Sequence, residues 1–406
     1  MSIILAFSGG LDTSFCVPFL VETQRQPVIT VTVDTGGLEP GAHARLAAHS
    51  ASLGATDHVT IDAREQLYDD LLSYLIKGNV LRGGVYPLCV GPERVVQARA
   101  VAEVARQRGA SAIAHGSTGA GNDQIRFDVA LRVLAGDIPL LAPVREHGFT
   151  REHMAAELAS RGHAISAERT TYSINRGLWG TTIGGRETHT THLPLPDDAY
   201  PDTVSPLDAP PAGVTLQLSF EEGLPTAIDG APLAGVALVE ALNALGAEHG
   251  VGRGMHVGDT ILGIKGRVGF EAPAAAILIS AHRELEKLVL SRWQSFQKAQ
   301  LADFYGMLLH EGQYFDPVMR DIEAFVDQSQ ERVTGTVELQ LRQGQVSVLG
   351  ATSPFSMFDS AVASYGETNA LWDGRDAAGF ARLYGLQGVL ASRAAHTSTT
   401  TFSGDL

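Results

Sequence analysis

Little in this chain ties it to an oxidising compartment, a membrane or a nucleic acid. Its 406 residues hold two cysteines, Cys16 and Cys89, too few for a disulfide framework or a four-cysteine metal site. No stretch approaches the ~18 consecutive apolar residues that would span a bilayer. The apolar run at residues 3–7 has no basic segment before it and is too short for a secretory signal, so a cytoplasmic address without a membrane partner is expected. The 30 Lys and Arg are outnumbered by 45 Asp and Glu, a formal net charge of −15. Proteins that grip phosphate backbones carry basic faces, so no nucleic-acid partner is expected. The 14 histidines show no H-E-x-x-H or other ligand spacing, and no protein-built metal site is predicted.

What is present suits a compact enzyme of more than one domain: 44% of residues are hydrophobic and 18% charged, with no repeat or low-complexity tract. Apolar or β-branched runs at residues 3–7, 27–34, 58–61 and 111–115 read as strands. Helical spacing separates them at residues 12–23, 40–53, 64–76 and 93–107, with a further helix at 150–161 capped by Thr150. Strands alternating with helices in this way predict an α/β fold with a doubly wound parallel sheet. Residues 185–213, rich in Thr, Pro, His and Asp, mark a loop or boundary. Beyond it, alternating runs at 214–220, 334–341 and 346–349 and helical runs at 232–248, 279–300 and 316–329 predict a second, α+β domain. Residues 367–390 read as one or two helices, and 391–406 as a polar tail with little to pack.

Two glycine-rich turns carry the chemistry. Ala6-Phe7-Ser8-Gly9-Gly10-Leu11-Asp12-Thr13-Ser14 leaves the first strand and opens the first helix. Gly9 and Gly10 let the backbone approach an anion, Ser8, Thr13 and Ser14 supply hydroxyls, and the helix start supplies oriented N–H groups. The turn contains no lysine and is neither a Walker A loop nor a G-x-G-x-x-G fingerprint. It is similar to the pyrophosphate loop of ATP pyrophosphatases (the adenine nucleotide alpha hydrolase-like fold). The bland alternative is a glycine turn capped by Asp12 or Thr13, and Asp12 could hold Mg2+ or merely cap. The second turn, His115-Gly116-Ser117-Thr118-Gly119-Ala120-Gly121-Asn122-Asp123-Gln124-Ile125-Arg126-Phe127, follows the fourth strand at the same edge of the sheet, where open parallel sheets bind ligands. Thr118 and Asn122 can hold a carboxylate, Asp123 an ammonium, and Arg126 a carboxylate bidentately. An ordinary capped loop is the alternative. His115 reads as an orienting group rather than a base, and Cys16, Trp179 and Phe380 as packing residues. Cys89 lacks a partner base that would make it a nucleophile.

On these two turns the sequence resembles the argininosuccinate synthase family over nearly its whole length. Further matches are Tyr172-Ser173-Ile174, Leu178-Trp179-Gly180, Gly250-Val251-Gly252-Arg253, Gly263-Ile264-Lys265 and Asp376-Ala377-Ala378-Gly379-Phe380. The resemblance implies a carbon–nitrogen ligase that adenylylates a ureido oxygen and joins aspartate to that carbon, releasing AMP and pyrophosphate. It implies a nucleotide-binding domain at 1–165, a synthetase domain at 166–360, a C-terminal oligomerisation arm at 361–406 and a homotetramer. ATP, with Mg2+, would rest on Ala6, Ser8, Gly9, Gly10, Asp12, Thr13, Ser14, the backbone of Val33 and Gly116. Aspartate would be held by Thr118, Asn122 and Asp123, and the ureido acceptor by Tyr86, Asn122, Arg126, Ser173 and Thr182. Asp12, Asn122, Asp123 and Arg126 are the expected catalytic set.

The chain departs from the family where citrulline's amino-acid end would sit. Ala120 replaces a lysine, Gly91 a serine, Gly258 a glutamate and Phe270 a tyrosine. Each lost bond to a charged group is worth about 1.5–3 kcal/mol. Either Glu93 or Asp259 makes good the loss, or the acceptor is a different ureido compound. A non-catalytic nucleotide-binding module is the remaining alternative.

Overall fold

A computed structural model describes residues 1–119, 121–163, 172–233, 235–359 and 371–400. Ala120 and the expected domain boundaries near 165 and 360 lie outside these described residues. The chain forms two compact units, Met1–Phe355 and Ser356–Leu406.

The first unit opens with β1 (Ile3–Ala6), α1 (Leu11–Gln24), β2 (Val28–Asp34), α2 (Ala42–Ser52) and β3 (Asp57–Asp62). α3 (Arg64–Leu67) runs through a π-turn at Tyr68–Leu72 into α4 (Ser73–Gly78); α5 (Gly91–Gln107), β4 (Ala112–Ala114), α6 (Asp123–Ala135), β5 (Leu140–Leu141), α7 (Pro143–His147) and α8 (Arg151–Ser160) follow. The five strands are all parallel, in the order β3-β2-β1-β4-β5. Alternation along β1 puts Ile3 and Leu5 against α1 and α8, and Ile4 against α5 and α6, so helices cover both faces as predicted. Thr150 caps α8 through its side chain, which accepts from the His153 N–H.

Two antiparallel sheets follow. One contains β6 (Ser173–Gly177), β7 (Gly180–Gly184), β11 (Arg253–Asp259) and β12 (Lys265–Glu271), ordered β11-β12-β7-β6. The other contains β8 (Val214–Glu221), β9 (Leu224–Ile228), β10 (Ala231–Pro232), β13 (Gly335–Arg342) and β14 (Gln345–Thr352), ordered β10-β9-β8-β13-β14. α9 (Gly235–Glu248), α10 (Pro273–Val289), α11 (Arg292–His310) and α12 (Pro317–Gln330) complete the unit. α10, α12, β8 and β13 share one core with Leu67, Leu71, Leu75 and Val96 from the first half.

Two expectations need correction and a third gains detail. The single helix expected over 279–300 is two: Ser291 and Gln294 exchange side-chain and backbone bonds at 3.4 and 3.0 Å, a capping box that ends one helix and starts the next. The polar tail expected from 391 begins as a helix: α14 (Leu386–Thr400) continues into it after α13 (Gly374–Tyr384), with residues 391–396 exposed. Phe380 is not a packing residue of a core: it is 63% exposed and, among the described residues, its ring stacks on Tyr384 within α13. Cys16 and Trp179 are fully buried as expected, the Trp179 indole N–H donating to the Pro87 carbonyl.

Candidate active site

The loop after β1 turns because Gly9 takes φ +73°, a conformation that costs a side-chain-bearing residue about 1–2 kcal/mol. Gly10 begins α1 with no side-chain cap, leaving the first-turn N–H groups free for a ligand. Thr13 shapes the turn, its hydroxyl receiving the Ser8 N–H at 3.3 Å. Ser14 is buried and bonds His49 Nε2 at 2.9 Å. Asp12 caps nothing. Its Oδ1 is buried without a hydrogen-bond partner, and burial raises its pKa against the pull of Arg151. A cation at the loop would satisfy that oxygen.

The second turn presses on the first. A Cβ added at Gly116 would lie 3.1 Å from the Asp12 carbonyl carbon and the Thr13 N, so the bare glycine lets the two turns meet backbone to backbone without either giving way. His115 anchors the second turn as expected. Its Nε2 bonds Asp128 Oδ1 at 3.0 Å, and its Nδ1 accepts the Ser117 N–H at 3.3 Å. The Gln124 amide holds the Gly119 carbonyl.

α6 then begins at Asp123. Asp123 receives Arg94 Nη2 at 3.0 Å and Arg126 Nη1 at 3.0 Å. Burial alone would raise its pKa, but the two guanidiniums pull it down to about 2. Arg126 is buried, with Nε donating to the His310 carbonyl at 2.9 Å and Nη2 to His310 Nδ1 at 3.1 Å. Asn122 Oδ1 accepts the Ile261 N–H at 2.9 Å, from the turn between β11 and β12.

The antiparallel sheet of β6, β7, β11 and β12 closes the other side. Leu178 N–H donates to the Thr35 carbonyl at 2.8 Å, seating the β6–β7 hairpin beyond β2. Tyr86 is buried, stacked on His256 (centroids 5.5 Å) and against Phe270 (5.3 Å). Thr182 faces Phe270 in the β7–β12 ladder. Ala6 ends β1 and Val33 is the last residue but one of β2. Thr118 and Ser173 are exposed, and no hydrogen bond among the described residues ties either to the cluster.

Neither acidic residue offered as a replacement presents a free carboxylate. Glu93 is 2% exposed; its Oε1 has no partner and points at Gly177, where a Cβ would lie 1.4 Å away. Burial raises its pKa to about 8, despite Arg94 beside it. Asp259 turns outward to Lys265 at 2.6 Å. Cys89 is buried and its thiol is pushed up chiefly by burial, then by Glu93, which excludes a thiolate nucleophile.

Sequence reasoning missed Arg82, Arg94, His256 and His310. No motif marks them, although Arg94 directly follows Glu93 at the start of an expected helix. A cleft of about 520 Å³, lined by Tyr74, Lys77 and Asp327 among others, lies elsewhere and contains no motif residue. Among the described residues no three His, Cys, Asp or Glu side chains gather as a metal site, and no helix is long and apolar enough to cross a membrane.

Comparison with known proteins agrees with this geometry. Residues 2–163 match the argininosuccinate synthase N-terminal HUP domain, and residues 172–391 match the argininosuccinate synthase C-terminal domain. The chain is 37% identical to argininosuccinate synthase of Methanocaldococcus jannaschii, covering 95% of this chain and 97% of that protein. It is 39% identical to the Xanthomonas axonopodis pv. citri enzyme (96% and 94% covered) and 39% identical to that of Archaeoglobus fulgidus (97% and 99%). With both halves matched and relatives aligned end to end, this chain belongs to the argininosuccinate synthase family of ATP-using ligases.

Proposed function

We propose that this ligase condenses aspartate with a ureido acceptor and releases AMP and pyrophosphate. The abutting turns carry the reading: uncapped α1 N–H groups, the Ser8 and Thr13 hydroxyls and an orphaned Asp12 carboxylate converge on one spot against Gly116. Such a spot fits a nucleotide diphosphate, with Asp12 as a ligand of its Mg2+. ATP, when bound, supplies the adenylyl group that turns a ureido oxygen into a leaving group.

The remaining work is positioning and charge stabilisation. Asp123, held near pKa 2, stays a carboxylate at any working pH. It orients the aspartate ammonium and is too weak a base to deprotonate it. Thr118 and Asn122 lie on the same turn to hold aspartate, while Tyr86, Arg126, Ser173 and Thr182 surround the acceptor. A cytoplasmic homotetramer built through the C-terminal arm completes the reading.

Pyrophosphate release tests it, measured with Mg-ATP, aspartate and ureido compounds, each omitted in turn. Release beyond a single turnover must require all three. Turnover that ignores aspartate refutes the assignment.

A further inference from the structure

Four positively charged or potentially charged side chains from four separate segments meet beyond Asn122: Arg82 after α4, Arg126 on α6, His256 on β11 and His310 at the end of α11. Arg82 has no carboxylate within ion-pair distance among the described residues. Its Nη2 donates to the main-chain oxygen of Asp259 at 2.7 Å. A Cβ added at Gly258 would lie 2.5 Å from His256 Nε2 and 3.2 Å from Arg82 Nη1, so the bare glycine lets imidazole and guanidinium share one corner.

Both histidines are more than nine-tenths buried, and each has a buried Nε2 without a hydrogen-bond partner. For His310 the proton's place follows from geometry. Arg126 donates to Nδ1, so Nε2 carries the hydrogen and is an unmet donor. It points toward the Asp259 carbonyl without completing a bond. Burial, then Arg126 and Arg82, depress the His310 pKa to about 3; burial and Arg82 lower that of His256. Both rings are therefore neutral and able to donate.

The acidic neighbours do not cancel this bias. Asp123 is engaged by Arg94 and Arg126, Asp259 by Lys265, and Glu311 pairs with no cation among the described residues while acting on Arg82 only at a distance. A neutral main-chain oxygen occupies the point that Arg82 and His310 address, and a carboxylate is a stronger acceptor for a guanidinium.

We infer that Arg82, His256 and His310 form an anion subsite at the far end of the acceptor cleft, and that the acceptor is a ureido acid whose distal group is anionic without an ammonium beside it. This rests on the ligase reading and names its substrate class. An ammonium placed there would face two guanidiniums, and Glu311, the neighbouring carboxylate without an ion-pair partner among the described residues, acts on Arg82 only at a distance.

The test compares ω-ureido acids of three to five carbons with citrulline and with a cationic ureidoalkylamine. Pyrophosphate release is followed with Mg-ATP and aspartate, and binding to the Mg-ATP-loaded protein is followed by calorimetry. At least one ureido acid is expected to exceed citrulline in kcat/KM by tenfold or more. Arg82→Met should raise the KM for that acid roughly ten- to hundredfold, the worth of one bond to a charged group, with kcat, aspartate KM and Mg-ATP affinity little changed. Arg82→Lys should recover part of the loss, and thermal melting confirms that both variants fold.

Preference for citrulline or the amine, with pyrophosphate still released, overturns the subsite and leaves the ligase reading standing. An Arg82→Met effect that is equal for all acceptors also overturns it. If no compound releases pyrophosphate, the ligase reading fails on its own. Calorimetry then decides the subsite, and no heat from any ureido acid overturns it.

Discussion

Replacing Glu93 by glutamine probes a carboxyl group that the fold buries without a full complement of partners. Oε2 lies 3.5 Å from Arg94 Nη1, Oε1 has no partner, and 2% of the residue is exposed. Burial raises the pKa from 4.5 to about 8, with Asp123 adding to the shift and Arg94 and the Thr35 hydroxyl opposing it. Below pH 4.5 the group is neutral in both folded and unfolded chains and has no pH-dependent effect. Between 4.5 and about 8 the unfolded chain has lost the proton and the folded chain keeps it. Stability therefore falls as pH rises through this window, by up to ~1.36 kcal/mol per unit and at most ~5 kcal/mol in all. Glutamine keeps the shape and cannot ionise, so the Glu93→Gln chain loses this slope. Thermal melts of both proteins from pH 5 to pH 8 provide the assay. The two should match near pH 5, with the variant ahead by a few degrees at pH 8, taking on the order of 1–2 °C per kcal/mol for so large a chain. Parallel curves across the window would show that Glu93 ionises in the folded protein and would refute the argument.

Other outcomes follow from the same geometry. Gly177→Ala puts a methyl group 1.4 Å from Glu93 Oε1, so the buried Glu93 carboxyl or the hairpin must shift; a loss of about 1–3 kcal/mol is expected in denaturant titration, and the double variant with Glu93→Ala should recover most of it. Asp123→Asn leaves Arg94 and Arg126 short of a counter-charge, and pyrophosphate release should fall about a hundredfold or more, the cost of an unpaired buried charge being roughly 3–5 kcal/mol. Because Asp123 titrates near pH 2, the native enzyme's rate should show no inflection from this group between pH 4 and pH 9. Removing residues 356–406, where Phe380, Leu383 and Tyr384 stand exposed on α13, should reduce the assembly seen by light scattering while monomers stay folded.

The parts of the fold legible in the sequence are those where one physical signal acts alone. β1 and β2 are buried on both faces and read as apolar or β-branched runs; Thr150 and the two glycine turns announce themselves by residue type. The sheet of β6, β7, β11 and β12 was invisible because glycine occupies Gly177, Gly180, Gly184, Gly254, Gly258, Gly266 and Gly269 within or at the ends of its strands, erasing the two-residue period. Those glycines are there for approach: at Gly254 a Cβ would meet the Phe270 ring at 2.2 Å. The break between α10 and α11 was written in Ser291-x-x-Gln294 but lay inside a continuous helical period. Asp123 and Arg126 were found because they share a motif. Their partners Arg94 and His310 arrive from 29 and 184 positions away, a distance that local pattern cannot bridge.

That sheet also explains how a parallel α/β layer, which supplies only loops at one edge, acquires a facing wall. The edge provides the two turns, and the hairpins of the second sheet provide the opposite side, one through Leu178 on Thr35 and the other through Ile261 on Asn122. The two contacts differ in kind. At the first, a Cβ on Gly36 would lie 2.8 Å from Leu178 Cβ and one on Gly37 2.1 Å from the Arg176 oxygen, so backbone rests on backbone and the wall is fixed. At the second, the Asn122 bond, worth about 1 kcal/mol, and the Arg82 bond to the Asp259 carbonyl join a turn whose Leu262 and Ile264 are exposed, and little apolar burial opposes release of Ile261. Asn122 can therefore exchange Ile261 for a ligand at small cost. Substitution at Gly37 should lower activity by displacing a rigid wall, whereas substitution at Leu262 should leave stability within about 0.5 kcal/mol.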